Sequence, residues 1–390
     1  MGYIVAPFIF LCGLVFRRSM LMTILMCSYM WVLVGLNVAS PDYENYKYIY
    51  NNISVVGSGF EPLFRFFCVL CKEYLSLNYQ EFRMLYALIM VILIHKTVKI
   101  YTKDVNFVLS LFLLMPFLGF VSGIRSGLSL LISSYCFRYL LEYRKSATLK
   151  YILGILIASS VHFNSIFFII FPLCKYIKTK IFFVLLLFTP ALLIMYYDGI
   201  LYNVVALFPL PPRVLDWFIR DWSLHIKTKI VFVMFIFQLS MIYLLYLAFT
   251  NFFRNRKVNK QCCIDLNIDC NDISFVDFMS PYKGYYTWLR SNCLALFLVP
   301  LYYVSVEFSR IFSGMLLVNY SILVSLFIRV HNIKIFSELI VSRDMFLVLL
   351  ILLSLLFFIF YICILFTDVF LPAVLQNNII FANYRLIAGA

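Results

Sequence analysis

The sequence predicts an all-α fold: a polytopic integral membrane helical bundle of about 11–13 transmembrane helices, with residues 1–390 forming a single transmembrane domain. Three observations predict it. Hydrophobic residues make up 64% of the chain and charged residues only 13%, too few to cover the surface of a soluble domain 390 residues long. Apolar runs of about 20 residues, the length that crosses a hydrocarbon core as a helix, recur from end to end. Runs such as Val348-Leu349-Leu350-Ile351-Leu352-Leu353 are apolar on every side. A transmembrane barrel needs polar residues at alternate positions, so the barrel is excluded. With no water in the bilayer core, backbone amides and carbonyls must pair within each run, which makes the runs helices.

Taken in order, the candidate spans are 3–16, 20–38, 82–100, 105–121, 126–143, 149–161, 163–176, 181–197, 230–250, 289–306, 311–328 and 345–366. Several are short for a core of ~30 Å, so tilt or re-entrant geometry is expected. The first span is followed by Arg17-Arg18 with no small-residue cleavage site and reads as retained. The net charge of +14 sits in short clusters between spans. Nucleic-acid binding would place it along one face, whereas the positive-inside rule expects clusters. Arg17-Arg18, Lys96/Lys99/Lys103, Arg144/Lys145, Lys175/Lys178/Lys180, Arg254/Arg256/Lys257/Lys260 and Arg329/Lys334 are therefore expected in the cytoplasm. Outer loops are expected at about 39–81 and 198–229, short outer turns at 119–125, His162 and 307–310, and a cytoplasmic loop at about 251–288.

Segment 63–77 would upset this alternation if it crossed the membrane. It carries Arg65, Lys72 and Glu73, each costly at the bilayer centre. The expectation is a half-buried helix at the outer interface. In loop 251–288, Asp265, Asp269, Asp272 and Asp277 lack the glycine and terminal glutamate of a calcium loop, so a solvated connector is expected. The 11 cysteines show no metal-ligand spacing and read as buried structural thiols.

Four polar clusters fall near the expected outer face, where ionisable groups are costly unless they serve a site. In Asp42-Tyr43-Glu44-Asn45-Tyr46, followed by Tyr50, the tyrosines share one helix face. They fit an interfacial aromatic belt or a sugar-stacking platform with Asp42 beside it as a base. Glu61, before Pro62, opens the interfacial helix and either favours its dipole or faces a cavity. In Ser122-Gly123-Ile124-Arg125-Ser126-Gly127-Leu128-Ser129, close helix packing accounts for the glycines and serines but not for Arg125. A guanidinium there suits bidentate grip on a diphosphate. His162, among Ser159, Ser160, Asn164 and Ser165, fits a structural histidine or a proton shuttle or phosphate contact. Late in the chain Glu307 and Arg310 add a carboxylate and a guanidinium, spaced to pair with each other. No Walker A loop, Gly-rich dinucleotide loop, His-rich metal set or Ser/His/Asp arrangement occurs, so no metal or cofactor is expected and an ATP-driven pump is set aside.

At these clusters the sequence resembles the EpsG-like and Wzy-type O-antigen or capsular polysaccharide polymerases. The resemblance runs from Asp42-Tyr43-x-x-Tyr46 through Phe60-Glu61-Pro62-Leu63-Phe64 and Ile124-Arg125 to His162-x-x-Ser165, with a later echo at Arg310. Ser126 follows Arg125 where such sequences often have Gln. The resemblance implies a GT-C-like membrane glycosyltransferase of the bacterial inner membrane. It would join oligosaccharide repeat units carried on undecaprenyl diphosphate at the outer face. It also implies roles: Asp42, Glu61 or His162 as base; Arg125, with Arg310 or Arg65, on the diphosphate; Tyr43 and Tyr46, with Trp217 or Trp222, on sugars. The lipid diphosphate is itself the activated donor, so no nucleotide sugar is implied. The partners implied are the lipid-linked oligosaccharide, membrane lipid and a chain-length regulator protein. Two other readings stand beside it: a flippase for lipid-linked sugars or another polysaccharide transporter, and an O-antigen ligase or acyltransferase. A transporter should show internal pseudo-symmetry and midplane charges, and the sequence has no repeat.

Overall fold

The computed structural model describes residues 2–38, 40, 42–142, 145–177, 181, 233–250, 283–299, 309–328, 332–334 and 340–360. Nearly all of the expected span 181–197 and of loop 251–288, the outer loop 198–229 and Glu307 lie outside them. The described part is a helical membrane-type bundle, all-α in class.

The helices are α1 (Gly2–Val15), α2 (Met20–Gly35), α3 (Tyr43–Asn51), α4 (Ile53–Val56), α5 (Pro62–Val69), α6 (Tyr79–Tyr101), α7 (Val105–Leu114), α8 (Phe117–Ser122), α9 (Ile124–Leu141) and α10 (Lys145–Val161). After a 3-10 segment, Phe163–Lys175, come α11 (Val233–Thr250), α12 (Lys283–Phe297), α13 (Ser309–Ile328) and α14 (Arg343–Phe358). Of these, α6, α11 and α13 are long and apolar enough to cross a membrane. The core of the bundle is α13, buried along nearly its whole length and packed on α6, α7 and α9. Two short strands, β1 (Asn332–Lys334) and β2 (Ile340–Ser342), pair antiparallel where the sequence indicated only a basic cluster.

Local chemistry explains several boundaries. Helix α6 starts three residues before the expected position because Asn78 and Glu81 form a capping box. The Asn78 side chain accepts from Glu81 N at 3.0 Å and the Glu81 carboxylate accepts from Asn78 N at 2.8 Å. The span expected at 105–121 is broken: α7 stops at Leu114 and α8 restarts at Phe117. Pro116 lies in the break, where its missing amide and its ring oppose a continuous ladder.

The span expected at 163–176 is a 3-10 helix, a second correction. Its burial explains the tighter winding. Ser165, Phe168, Phe171 and Cys174 are all fully buried and lie three apart. Three residues per turn set them in one straight ridge, which an α-helix would smear around its axis. The ridge packs on α9 and α12: Phe137 meets Phe168 and Phe171 at ring-centroid distances of 5.2 and 6.1 Å, and Trp288 at 5.1 Å.

Segment 63–77 forms α5 and then one wider-wound π-type turn, Leu70–Tyr74. Together they reach about 20 Å at the usual rise, less than a bilayer core. Phe64, Cys68 and Cys71 face inward, Phe64 against Phe82 and Tyr86 of α6, while Arg65, Phe66 and Glu73 are exposed.

Contacts sort the helix ends into two sets. At one end, Arg18 of the α1–α2 turn pairs with Asp104 before α7 at 2.9 Å, and Asn106 donates to Phe16 O and Ser19 O. At that same end Lys175 donates to Glu142 O at 2.6 Å, closing the C-terminus of α9. The opposite end collects the α2–α3 junction, α5, the start of α6, the α8–α9 turn, the α10–3-10 junction and the start of α13. The candidate site lies there.

Candidate active site

The site is built around one carboxylate. Glu61 stands just before Pro62 with extended backbone, φ −60° and ψ 141°, so its side chain leaves α5 and reaches toward α9 and α10. Arg125 donates from Nη1 to Glu61 Oε2 at 2.7 Å. The amide of Phe163 donates to Glu61 Oε1 at 3.1 Å. His162 Nδ1 lies 3.5 Å from the same oxygen and accepts from Asn164 N at 3.4 Å. An accepting Nδ1 requires the ring proton on Nε2. The side chains of Glu61, Arg125 and His162 are 18%, 12% and 9% exposed, so the cluster is largely dry.

Arg125 sits in an aromatic box. Its guanidinium carbon is 5.9, 5.1 and 5.4 Å from the ring centroids of Tyr46, Phe60 and Phe64, where cation–π attraction favours it. It is the second residue of α9, among amides that have no acceptor within the helix. A second guanidinium lies beside Gly123, immediately before α9: a Cβ built there would stand 3.6 Å from Nη2 of Arg310, an ordinary contact distance. Two arginines thus flank the positive end of one helix, and Glu61 pairs with the first of them.

The serine face of α9 holds His162 in place. Ser129 Oγ donates to Ala158 O at 2.8 Å and to His162 O at 3.1 Å, and shares a hydrogen bond with Ser165. Ser133 Oγ donates to Ser165 Oγ at 3.1 Å. Gly127 allows the close approach of α6: a Cβ there would stand 2.8 Å from Met90 Cε and 2.9 Å from Phe120 Cβ. The small residues around Arg125 are therefore packing and fixation, as their spacing indicates.

The family model for EpsG matches residues 20–372, nearly the whole chain and every element of this cluster. The chain belongs to the EpsG family. This is a family of Wzy-type polysaccharide polymerase-like proteins. No curated protein and no solved structure matches the chain.

Across this EpsG chain the candidate residues separate by where the fold places them. Arg125 and His162 each contact Glu61, with Tyr46 and Arg310 at their border. Asp42 heads α3 one turn before Tyr46, and its carboxylate makes no capping bond to the helix. Tyr43 and Arg65 point elsewhere. Tyr43 is buried at 8% exposure, with Tyr79 edge-on at 5.2 Å, Arg83 over its ring at 5.5 Å and its hydroxyl donating to Gln80 Oε1 at 3.2 Å. Burial raises the Tyr43 phenol above its ordinary range, so it remains a neutral donor that holds α3 on α6. Arg65 is exposed and folded over Gly57, where a Cβ would stand 3.1 Å from its Nε. Trp217, Trp222 and Glu307 lie outside the described residues.

Phe60 and Phe64 were not among the expected binding residues, although they make two of the three ring contacts to Arg125. Their signal was present: an aromatic residue on each side of Glu61-Pro62, spaced to close over one cation.

Proposed function

We propose that this protein polymerises polysaccharide by joining undecaprenyl-diphosphate-linked oligosaccharide repeat units at the outer face of the bacterial inner membrane. The observation that carries the reading is the contact of Glu61 with Arg125 and His162 at the start of α9, with Arg310 against Gly123. Family membership supports a polysaccharide polymerase-like role. The grouping of Lys and Arg supports the orientation: Arg17, Arg18, Lys103 and Lys175 belong to the end opposite the site.

In this reading the acceptor hydroxyl attacks the anomeric carbon of the growing chain. The new glycosidic C–O bond forms as the bond to the lipid diphosphate breaks. The acceptor proton passes to His162 or to Glu61, which stand together. The departing diphosphate takes up negative charge beside Arg125, Arg310 and the first amides of α9, where fixed donors in a dry site stabilise it. Tyr46 and Phe60 line the approach to Arg125.

Deletion in the native host, followed by electrophoresis of surface polysaccharide, tests the reaction. Loss of a polymerase leaves lipid A core carrying one repeat unit, whereas loss of a flippase leaves none. Arg125→Lys keeps the charge without the planar fork and should keep part of the activity. Arg125→Ala should lose roughly a hundredfold in rate, the usual effect of removing one such donor. Normal chain length from normally abundant Arg125→Ala would remove Arg125 from the site.

A further inference from the structure

Arg83 lies in the first half of α6 and is fully buried. Its guanidinium reaches two helix ends at once. Nε donates to Val34 O at 2.7 Å, in the last turn of α2, and Nη2 donates to Val121 O at 2.8 Å, in the last turn of α8. Its carbon stands 5.5 Å from the ring centroid of Tyr43 in α3. Among the described residues no carboxylate pairs with it. Its charge is balanced by the carbonyl ends of two helices, which carry partial negative charge.

A lone buried arginine near a bilayer is costly, so simple filling of the space would have been served better by an apolar side chain. What this one joins is specific. Val121 is two residues before Gly123 and four before Arg125, so the bond to its carbonyl fixes the turn from which Arg125 projects. Val34 precedes the junction leading to α3, whose Tyr46 borders the same guanidinium. We infer that Arg83 is a positioning residue, clamping α2 and α8 so that Arg125 and Tyr46 are presented to one point. The inference rests on the proposed polymerase reading for its effect on rate, but not for the clamp itself.

The test uses the full-length protein purified in detergent or nanodiscs, as Arg83→Gln and Arg83→Lys. Glutamine removes the cation and the five-donor fork; lysine keeps a point charge without the fork. Hydrogen–deuterium exchange reads the clamp. Arg83→Gln should exchange faster at residues 37–43 and 119–125, with α13 unchanged. For polymerisation of the lipid-linked unit, kcat per folded molecule should fall on the order of tenfold or more, as small misplacements of a binding group do. KM should stay within about twofold. Arg83→Lys should recover part of both effects.

Unchanged exchange at 119–125 would overturn the clamp. Faster exchange with an unchanged kcat would overturn positioning. Uniformly faster exchange across the bundle, or failure of both variants to accumulate, would make Arg83 a general stability residue and overturn the inference. If the wild-type protein makes no polymer, the polymerase reading falls, and the exchange pattern alone decides whether Arg83 holds the turn.

Discussion

Replacing Glu61 with Gln asks whether the carboxylate holds Arg125 in its aromatic box. The substitution keeps the shape and leaves an oxygen to accept from Phe163 N, but it takes the anion away from Arg125. Removing one partner of a buried ion pair costs ~3–5 kcal/mol, because the other charge is left uncompensated. Two features lower that figure here. The side chains are 12% and 18% exposed, so water relieves part of the penalty. Arg125 also keeps three ring contacts, at 5.1, 5.4 and 5.9 Å. Such contacts contribute about 0.5–1 kcal/mol apiece or more when desolvated. The expected loss is therefore about 2 kcal/mol. Arg125→Met should lose less, since its thioether packs on the same rings and Glu61 retains the Phe163 amide. The double variant removes both charges and should be more stable than Glu61→Gln alone, with a coupling of about 1–2 kcal/mol. Unfolding of all four proteins in the same detergent, followed by intrinsic fluorescence, measures it. Additive losses, with coupling below about 0.5 kcal/mol, would refute the holding role.

The other predictions concern packing, chemistry and sidedness. Gly127→Ala should lower membrane abundance, because its Cβ would meet Met90 and Phe120 below 3.0 Å. Gly123→Ala finds ordinary contact at 3.6 Å and should accumulate normally, and immunoblots of membrane fractions compare the two. The Cys68 thiol, pushed up to about 12 by burial, should resist maleimide in the native protein at neutral pH and react after unfolding, as mass spectrometry reads directly. On a cysteine-free background Gln261→Cys should escape an impermeant reagent added from outside; labelling would reverse the orientation.

Much of the bundle was legible because hydropathy locates a helix whatever its neighbours do. The sites of α1, α2, α6, α9 and α13 follow from apolar runs alone, to within a few residues. What hydropathy cannot register is winding and continuity. Leu111 to Val121 reads as one apolar run, and Pro116 inside it carried the only sign that α7 would stop. The 3-10 segment had its sign in the three-residue spacing of Ser165, Phe168, Phe171 and Cys174. The candidate site was legible where charge stood out of place: Arg125 at the wrong end of a helix, Glu61 before a proline. That these two pair is decided by the fold, since 64 residues separate them. Tyr43 was legible as one member of an aromatic face, but periodicity says which residues share a face and not what that face meets. Arg83 is inconspicuous in sequence because it sits in an otherwise apolar stretch beginning at Phe82. A guanidinium inside a spanning helix is itself the signal, since such a residue persists only with a purpose.

The Glu61 junction also bears on the order in which the chain is made. Its carboxylate accepts from Arg125, 64 residues later, and from the amide of Phe163, 102 residues later. A ribosome feeding this chain into the bilayer releases the acid first, and its counterion follows only after α6, α7 and α8 are in place. Until then Glu61 has to stay wetted at the rim of a partly built bundle. Its docking marks the moment when α9 and the end of α10 arrive. Arg310 comes from a helix synthesised far later still, so its guanidinium reaches the start of α9 near the end of biosynthesis. A chain cut short by a premature stop before α13 would carry the acid, the histidine and one arginine, already neutralised against each other, and lack the second arginine.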